Sequence, residues 1–186
     1  MKLLFRPYLH YKFLNSLFTG LLGGAAFTLY GSLSPSTFSL GGIVLALGLM
    51  ALAYGYHRLM NITSFFRFSL STELIMLFMI GFFILFPKHQ ATAIIIYSAY
   101  QLSFIFGGYL VRAETHFAQK AKIMGWLDVL KQQGYLVGLL LSYGFYKGME
   151  YLKITDAHTQ VYWLHFPLFV LEITVIIFLL RGFKRS

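Results

Sequence analysis

Six long apolar stretches dominate this chain, and each is close to the roughly 20 residues that a helix needs to cross a bilayer. They cover residues 13–31, 38–57, 69–86, 91–111, 130–149 and 161–180. Charged residues make up only 11% of the sequence, whereas soluble domains contain roughly 25%. The sequence therefore predicts an all-α, polytopic membrane protein with six transmembrane helices in a single domain, residues 1–186.

The basic residues fall almost entirely on alternate gaps between these stretches. Of the 15 Lys and Arg residues, all but Lys88, Lys147 and Lys153 lie on the side that carries both termini. The positive-inside rule then predicts cytoplasmic termini in a cytoplasmic (inner) membrane. Residues 1–12 are expected to form an interfacial cytoplasmic segment, and residues 112–129 a cytoplasmic loop between the fourth and fifth helices.

The net charge of +9 follows these cytoplasmic gaps, so lipid headgroups of the bilayer explain it and we expect no nucleic-acid partner. The chain has no Cys, which excludes disulfides, thiol catalysis and thiolate metal sites. Its six His are scattered without ligand spacing, and the sequence has no HExxH, GxSxG or P-loop motif. We therefore expect no enzyme activity, no metal and no cofactor.

Two acidic residues lie inside the predicted helices. Glu73 is expected in the first turn of the third helix, where the helix dipole favours a carboxylate. Glu172 lies near the middle of the sixth helix, so its carboxyl must be protonated, paired or hydrated. A titrating carboxyl could couple proton movement to a substrate step, and a protonated Glu bonded to a neighbouring helix would satisfy the same physics.

Charges also gather at the predicted inner ends of the second to fifth helices, where they are candidates for a cytoplasmic gate. Opposite charges there could lock helix ends together in one state and release them in another. Exposed ion pairs of little consequence are the competing interpretation. The gate candidates are Arg58, Arg67, Arg112, Glu114 and Asp128.

Small residues recur at spacings that favour close helix contacts in membranes. The second helix has glycines seven apart at positions 41, 48 and 55, and the fifth has two GxxxG pairs at 134/138 and 144/148. Tight packing is sufficient to explain these seams. Polar residues also form stripes on the first, fourth and fifth helices, which predicts that these faces meet protein or a cavity.

Two segments give the chain a resemblance to one six-helix half of a major facilitator superfamily transporter. Residues 121–146, AKIMGWLDVLKQQGYLVGLLLSYGFY, resemble the family's cytoplasmic lead-in and glycine-rich fifth helix. Residues 38–61, FSLGGIVLALGLMALAYGYHRLMN, are similar to its second helix and basic turn. The turn lacks the family's Gly-x-x-x-Asp-Arg-x-Gly-Arg signature, and the fifth helix lacks the antiporter Gly-Pro step.

The resemblance implies a cavity lined by the first, second, fourth and fifth helices, with the third and sixth outside. Glu172 would then face the periphery. Family members carry two such halves, so a half-size secondary transporter of a small solute would have to work as a homodimer or with another membrane protein. The cavity candidates implied are Asn15, Thr19, Gln101, Tyr135 and Ser142.

A second hypothesis is a non-transporting membrane subunit or assembly factor that holds a partner membrane protein through its glycine seams. The missing loop signature and the scarcity of deep charges favour it. The two hypotheses differ in one observable: self-association supports the transporter, and one reproducible heterologous partner supports the subunit.

Overall fold

The computed structural model describes residues 1–30, 33–87 and 91–184; Lys88 and Arg185 of the charge pattern and the side chains of residues 26, 27, 29 and 30 lie outside this description. Helices account for nearly all of the described chain, so the all-α prediction is confirmed. The elements are β1 (Lys2–Leu3), α1 (Phe5–Tyr30), α2 (Pro35–Tyr54), α3 (Tyr56–Leu59), α4 (Ile62–Leu85), α5 (Thr92–Ala118), α6 (Ala121–Tyr151), α7 (Ala157–Gly182) and β2 (Phe183–Lys184).

Six of these helices are long, and they overlap the six apolar stretches of the sequence. By length and composition, α2, α4, α5 and α7 are the four described helices that are able to cross a membrane. The structure is therefore that of a helical protein with an apolar, membrane-embedded character. The described surface agrees with this, because large apolar side chains such as Leu47, Phe78 and Leu140 are exposed.

Side-chain caps set where three of the long helices begin. Ser34 caps α2, with Pro35 at its first position, and the Asn61 side chain accepts from the backbone N–H of Ser64 at the start of α4. Asp156 caps α7 by accepting from the backbone N–H of Thr159 at 2.8 Å. Short polar side chains at these positions satisfy N–H groups that have no partner within the helix.

Two hydrophobic clusters show the directions of the long helices: α1, α4 and α6 reach one cluster first along the chain, and α5 and α7 reach the other first. One cluster includes Tyr8 of α1 and Leu179 of α7, and the other includes Phe18 of α1 and Leu164 of α7. Strand β1 pairs antiparallel with β2, with Lys2 opposite Lys184, so both described chain ends lie together. We call this the terminal end of the bundle.

The packing order of the long helices is symmetric. The five largest interfaces join α6 to α1, α1 to α7, α7 to α4, α4 to α5 and α5 to α2. The packing order is therefore α6, α1, α7, α4, α5, α2. The first three long helices along the chain are α1, α2 and α4, and the last three are α5, α6 and α7. Exchanging α1 with α5, α2 with α6 and α4 with α7 gives the same packing order in reverse. The first and second triplets therefore pack alike but run in opposite directions.

Helices α1 and α6 approach until their backbones touch. A Cβ on Gly138 would overlap the carbonyl oxygen of Leu17, and one on Gly134 would overlap that of Phe13. On α1, a Cβ at Gly20 would overlap the carbonyl oxygen of Tyr135. The first GxxxG pair of α6 therefore faces α1 and permits a contact that larger residues exclude.

The other predicted glycine seams differ in what they face. Gly41 and Gly48 of α2 lie against Tyr97 and Ile105 of α5. At Gly144 and Gly148, by contrast, a Cβ would have no side chain and no other helix of the described part of the chain within 4 Å. The second GxxxG pair of α6 is thus open in a single chain.

The two segments expected outside the transmembrane helices are largely helical. Helix α1 begins within residues 1–12, and Tyr8 and Tyr11 of this segment are buried in the bundle. Residues 112–129 belong to α5 and α6 except at the junction, where Gln119 has a left-handed conformation (φ 49°) that ends α5. The chain therefore turns sharply between α5 and α6.

Candidate functional site

One face of α1 carries polar side chains into the interior of the terminal end. Tyr8, Tyr11, Lys12 and Asn15 are spaced three and four residues apart, which places them on the same side of a helix. Tyr8 and Tyr11 are 2% and 3% exposed. This face meets acidic side chains of two other helices, Glu73 of α4 and Glu114 of α5.

Glu73 of α4 is the first acidic partner, and it is 1% exposed. Its Oε1 accepts from the hydroxyl of Tyr11 at 2.5 Å, and Asn15 Nδ2 donates to Oε1 at 3.0 Å and to Oε2 at 3.2 Å. The expected position of Glu73 in a first helical turn is wrong. Asn61 caps α4 earlier, and the polar residues between them are helical, so Glu73 lies in the middle of α4.

Glu172 of α7 lies against the Glu73 carboxyl and is 0% exposed. No N–H or hydroxyl donor of a described residue reaches either of its carboxylate oxygens. The resemblance implied a position facing the periphery, whereas Glu172 lies in register with buried Leu168, Val175 and Leu179 on the face that meets α1 and α4. Its spacing within this stripe is the reason that it points inward.

Glu114 of α5 is the third buried carboxylate, and it joins α5 to α1 and α6. It forms ion pairs with Lys12 Nζ at 3.1 Å and Lys131 Nζ at 2.5 Å, and it accepts from the hydroxyl of Tyr8 at 2.6 Å. Glu114 and Lys131 also line an open pocket of about 180 Å³ between α5 and α6, together with Asp128. Charge-assisted contacts of this kind are stronger than neutral hydrogen bonds.

The charges of this network do not balance if every group is ionised. The network holds three carboxyls, on Glu73, Glu114 and Glu172, and two ammonium groups, on Lys12 and Lys131. Both ammonium groups pair with Glu114. Two carboxylates that share a buried site cannot both stay ionised, because each disfavours the charge of the other. One proton on the Glu73 and Glu172 pair makes the network neutral.

The structure separates the five cavity candidates into different environments. Asn15 binds Glu73, and Ser142 is buried beside Gly24 of α1. Thr19 and Tyr135 share an open groove of about 300 Å³ between α1 and α6. Gln101 lines a cleft of about 220 Å³ between α2 and α5, and its Oε1 is buried without a partner among the described residues.

The gate candidates are brought together only in part. Glu114 and Asp128 both lie near Lys131, whose Nζ is 3.7 Å from Asp128 Oδ1. Arg58, Arg67 and Arg112 are exposed, and in the described part of the chain none of them forms an ion pair. The partners of Glu114 are lysines instead, since the inward face of α1 supplies Lys12. A gating role for these residues stays a prediction.

Four residues of the network were not predicted as site residues: Tyr8, Tyr11, Lys12 and Lys131. For the three residues on α1 the signal is the spacing of Tyr8, Tyr11 and Asn15, which continues the polar stripe of the first helix back into residues 1–12. The apolar stretch begins only at residue 13, so hydropathy assigned the earlier turns to the membrane surface. Pairing with acids on α4 and α5 depends on tertiary packing and has no local signal.

No protein-family model, curated protein or solved structure matches this chain significantly.

Proposed function

We propose that this chain is one half of a secondary transporter that works as a homodimer and moves a small solute across the inner membrane. The observation that carries the proposal is the symmetric packing order of the six long helices, in which two oppositely directed triplets pack alike. Inverted repeats of this kind underlie alternating access in many secondary transporters, including the three-plus-three repeats of each major facilitator half.

The proposal places six spans across the bilayer with the terminal end in the cytoplasm. The Lys and Arg pattern supports this orientation. Although α1 and α6 carry more polar groups than the other long helices, the polar face of α1 is turned inward onto Glu73 and Glu114, as membrane helices require. Helices α2 and α6 end the packing order and expose apolar side chains that lipid or a second copy would cover.

Helices α2 and α6 are the outermost helices of the packing order. In a homodimer whose twofold axis lies beside the groove between α1 and α6, we therefore expect α2 of one copy to contact α6 of the other. The chain has no native Cys, so single cysteines report this contact directly. Copies carrying Leu47→Cys on α2 and Leu140→Cys on α6, with different tags, should form a mixed disulfide when co-expressed in membranes. Gel mobility and tag-specific blots measure the product.

The matched control is Phe78→Cys on α4, which is also exposed and apolar but lies on a helix in the middle of the packing order. It should give little product with either partner. Single-molecule photobleaching of fluorescently labelled protein in native membranes should show two steps. Single-step bleaching, or equal cross-linking from Phe78→Cys, would contradict the homodimer.

Gln101 is the residue that we expect to affect transport most directly, since it lines the cleft between α2 and α5 and its buried Oε1 has no partner among the described residues. A site that holds a substrate through a side-chain amide loses affinity when that amide is removed. Proteoliposomes incubated with a mixture of small solutes should accumulate at least one of them, as measured by mass spectrometry. Gln101→Ala should reduce that uptake at least about tenfold.

Gln133→Ala is the control for this experiment, because Gln133 is exposed on the same membrane protein and lines neither the cleft nor the groove. It should transport as the wild type does. If Gln101→Ala also transports normally, the assignment of the cleft is wrong, and if no solute accumulates in wild-type liposomes, the transport proposal itself fails.

A second candidate function is a non-transporting subunit that binds another membrane protein, and one observation favours it. Gly144 and Gly148 form a small-residue face on α6 that contacts no other helix in the described part of the chain. Such faces permit close helix association. Purification in a mild detergent separates the two proposals: a stoichiometric heterologous partner that is lost in Gly148→Leu supports the subunit, and self-association alone supports the transporter.

A further inference from the structure

We propose that Glu73 and Glu172 together bind one exchangeable proton, and that Lys12 links the occupancy of this site to the ion pairs that join α1, α5 and α6 at the terminal end. The proton site stands on the packing of the two carboxyls. Its use as the coupling site of a transport cycle rests on the function proposed above. The proposed ligand is a proton, because the carboxyls of Glu73 and Glu172 lie next to each other and no hydrogen-bond donor of the described residues reaches Glu172.

The first step of the argument is the asymmetry between the two carboxyls. Glu73 accepts hydrogen bonds from Tyr11 and Asn15, which stabilise its ionised form. Glu172 is fully buried and receives no hydrogen bond from a described donor. A buried carboxylate without a partner is strongly disfavoured. The proton therefore resides on Glu172 and is donated to the Glu73 carboxylate.

The second step is access, because a proton that cannot leave couples to nothing. Tyr8 and Tyr11 have ring centroids 5.4 Å apart, and each hydroxyl binds a different carboxylate, Glu114 for Tyr8 and Glu73 for Tyr11. Glu114 lines the open pocket between α5 and α6. Polar groups of Tyr8, Tyr11 and Glu114 therefore lie between that pocket and the carboxyl pair, and we infer that the proton moves along them.

The third step is the position of Lys12 between the two acidic groups. Its Nζ pairs with Glu114 at 3.1 Å and lies 5.9 Å and 5.7 Å from the ring centroids of Tyr8 and Tyr11. When the pair loses its proton, a second negative charge appears beside Glu73. The lysine is then attracted away from Glu114, which keeps only Lys131 and Tyr8. Loss of one cation weakens the junction of α1, α5 and α6.

The charged and titratable groups that the described part of the chain turns toward the pair all take part in this argument. From α1 these are Tyr8, Tyr11 and Lys12, from α5 Glu114 and from α6 Lys131, whose Nζ is bound to Glu114. Glu73 and Glu172 come from α4 and α7. A protonation event at the pair is thus felt by five of the six long helices, which makes it suited to a transition of the whole bundle.

The test is infrared difference spectroscopy of the protein in liposomes, with pH as the probe. The wild type should show the C=O band of a protonated carboxylic acid, which shifts in D₂O and disappears as the buffer is made alkaline. Glu172→Gln, a neutral isostere of the protonated side chain, should lose this band. Glu150→Gln, which removes an exposed carboxylate from α6, should keep it.

A band that survives Glu172→Gln, or one that neither titrates nor shifts in D₂O, overturns the proton site. The D₂O shift is measured on the wild type, so it holds even if the variant folds poorly. Uptake in proteoliposomes decides the coupling separately. Transport that proceeds unchanged in Glu172→Gln, with the band lost, leaves the transporter proposal intact and overturns coupling. A titrating band in a protein that moves no solute overturns the transport proposal and leaves the proton site.

Discussion

Replacing Glu114 with alanine should destabilise the protein by about 3 kcal/mol or more, because the change leaves two lysines in a mostly buried site without their shared partner. Lys12 and Lys131 both pair with Glu114, and their side chains are only 15% and 25% exposed. The hydroxyl of Tyr8 also loses its acceptor. Thermal unfolding in detergent micelles or bicelles measures the loss.

The matched control for this prediction is Glu150→Ala, since Glu150 forms an ion pair of ordinary length with Lys147 but on the exposed surface of α6. Exposed pairs contribute little, so no measurable change is expected there. The double variant Glu114→Ala with Lys131→Met should recover part of the loss, because it removes one of the two uncompensated charges. A loss in Glu114→Ala no larger than that in Glu150→Ala would show that the network does not stabilise the bundle.

Gly138→Leu should separate α1 from α6 and cost about 2 kcal/mol or more, which is typical of overpacking in a close contact. A Cβ at Gly138 would overlap the carbonyl oxygen of Leu17, and the neighbouring atoms are also backbone. Backbone cannot move aside as the end of a flexible side chain can. The helices must therefore move apart, which disturbs the groove that contains Thr19 and Tyr135.

Gly144→Leu is the control on the same helix, because a Cβ at this position would have no side chain and no other helix of the described chain within 4 Å. Leucine has a higher helix propensity than glycine, so this variant should be at least as stable as the wild type. Thermal unfolding of both variants under the same conditions gives the comparison. Equal effects at the two positions would mean that the contact between α1 and α6 tolerates a side chain.

The sequence was sufficient to predict where the helices lie, because apolar runs, caps and helix breakers are local features. It was less informative about where they begin. Helix α4 starts at Ile62 because Asn61 caps it, whereas the apolar stretch begins only at residue 69. The pairing of β1 with β2 involves two residues from each end and has no pattern that a sequence could reveal.

The carboxylate network lay beyond sequence reasoning for a different reason. Glu172 was recognised as a costly group near the middle of a span, since burial of an acid can be inferred from its surroundings on one helix. Its partner Glu73 lies on another helix, and their proximity depends on α7 packing against α4. The resemblance even suggested an outward position, because a family pattern describes average helix roles and not the register of one side chain.

The pairing of β1 with β2 has a practical consequence for engineering the protein. It holds the two described ends of the chain side by side, with Lys2 opposite Lys184. A second copy joined through a short flexible linker would therefore begin close to where the first one stops. A tandem gene of this design fixes the stoichiometry at two and allows one half to be altered while the other stays intact.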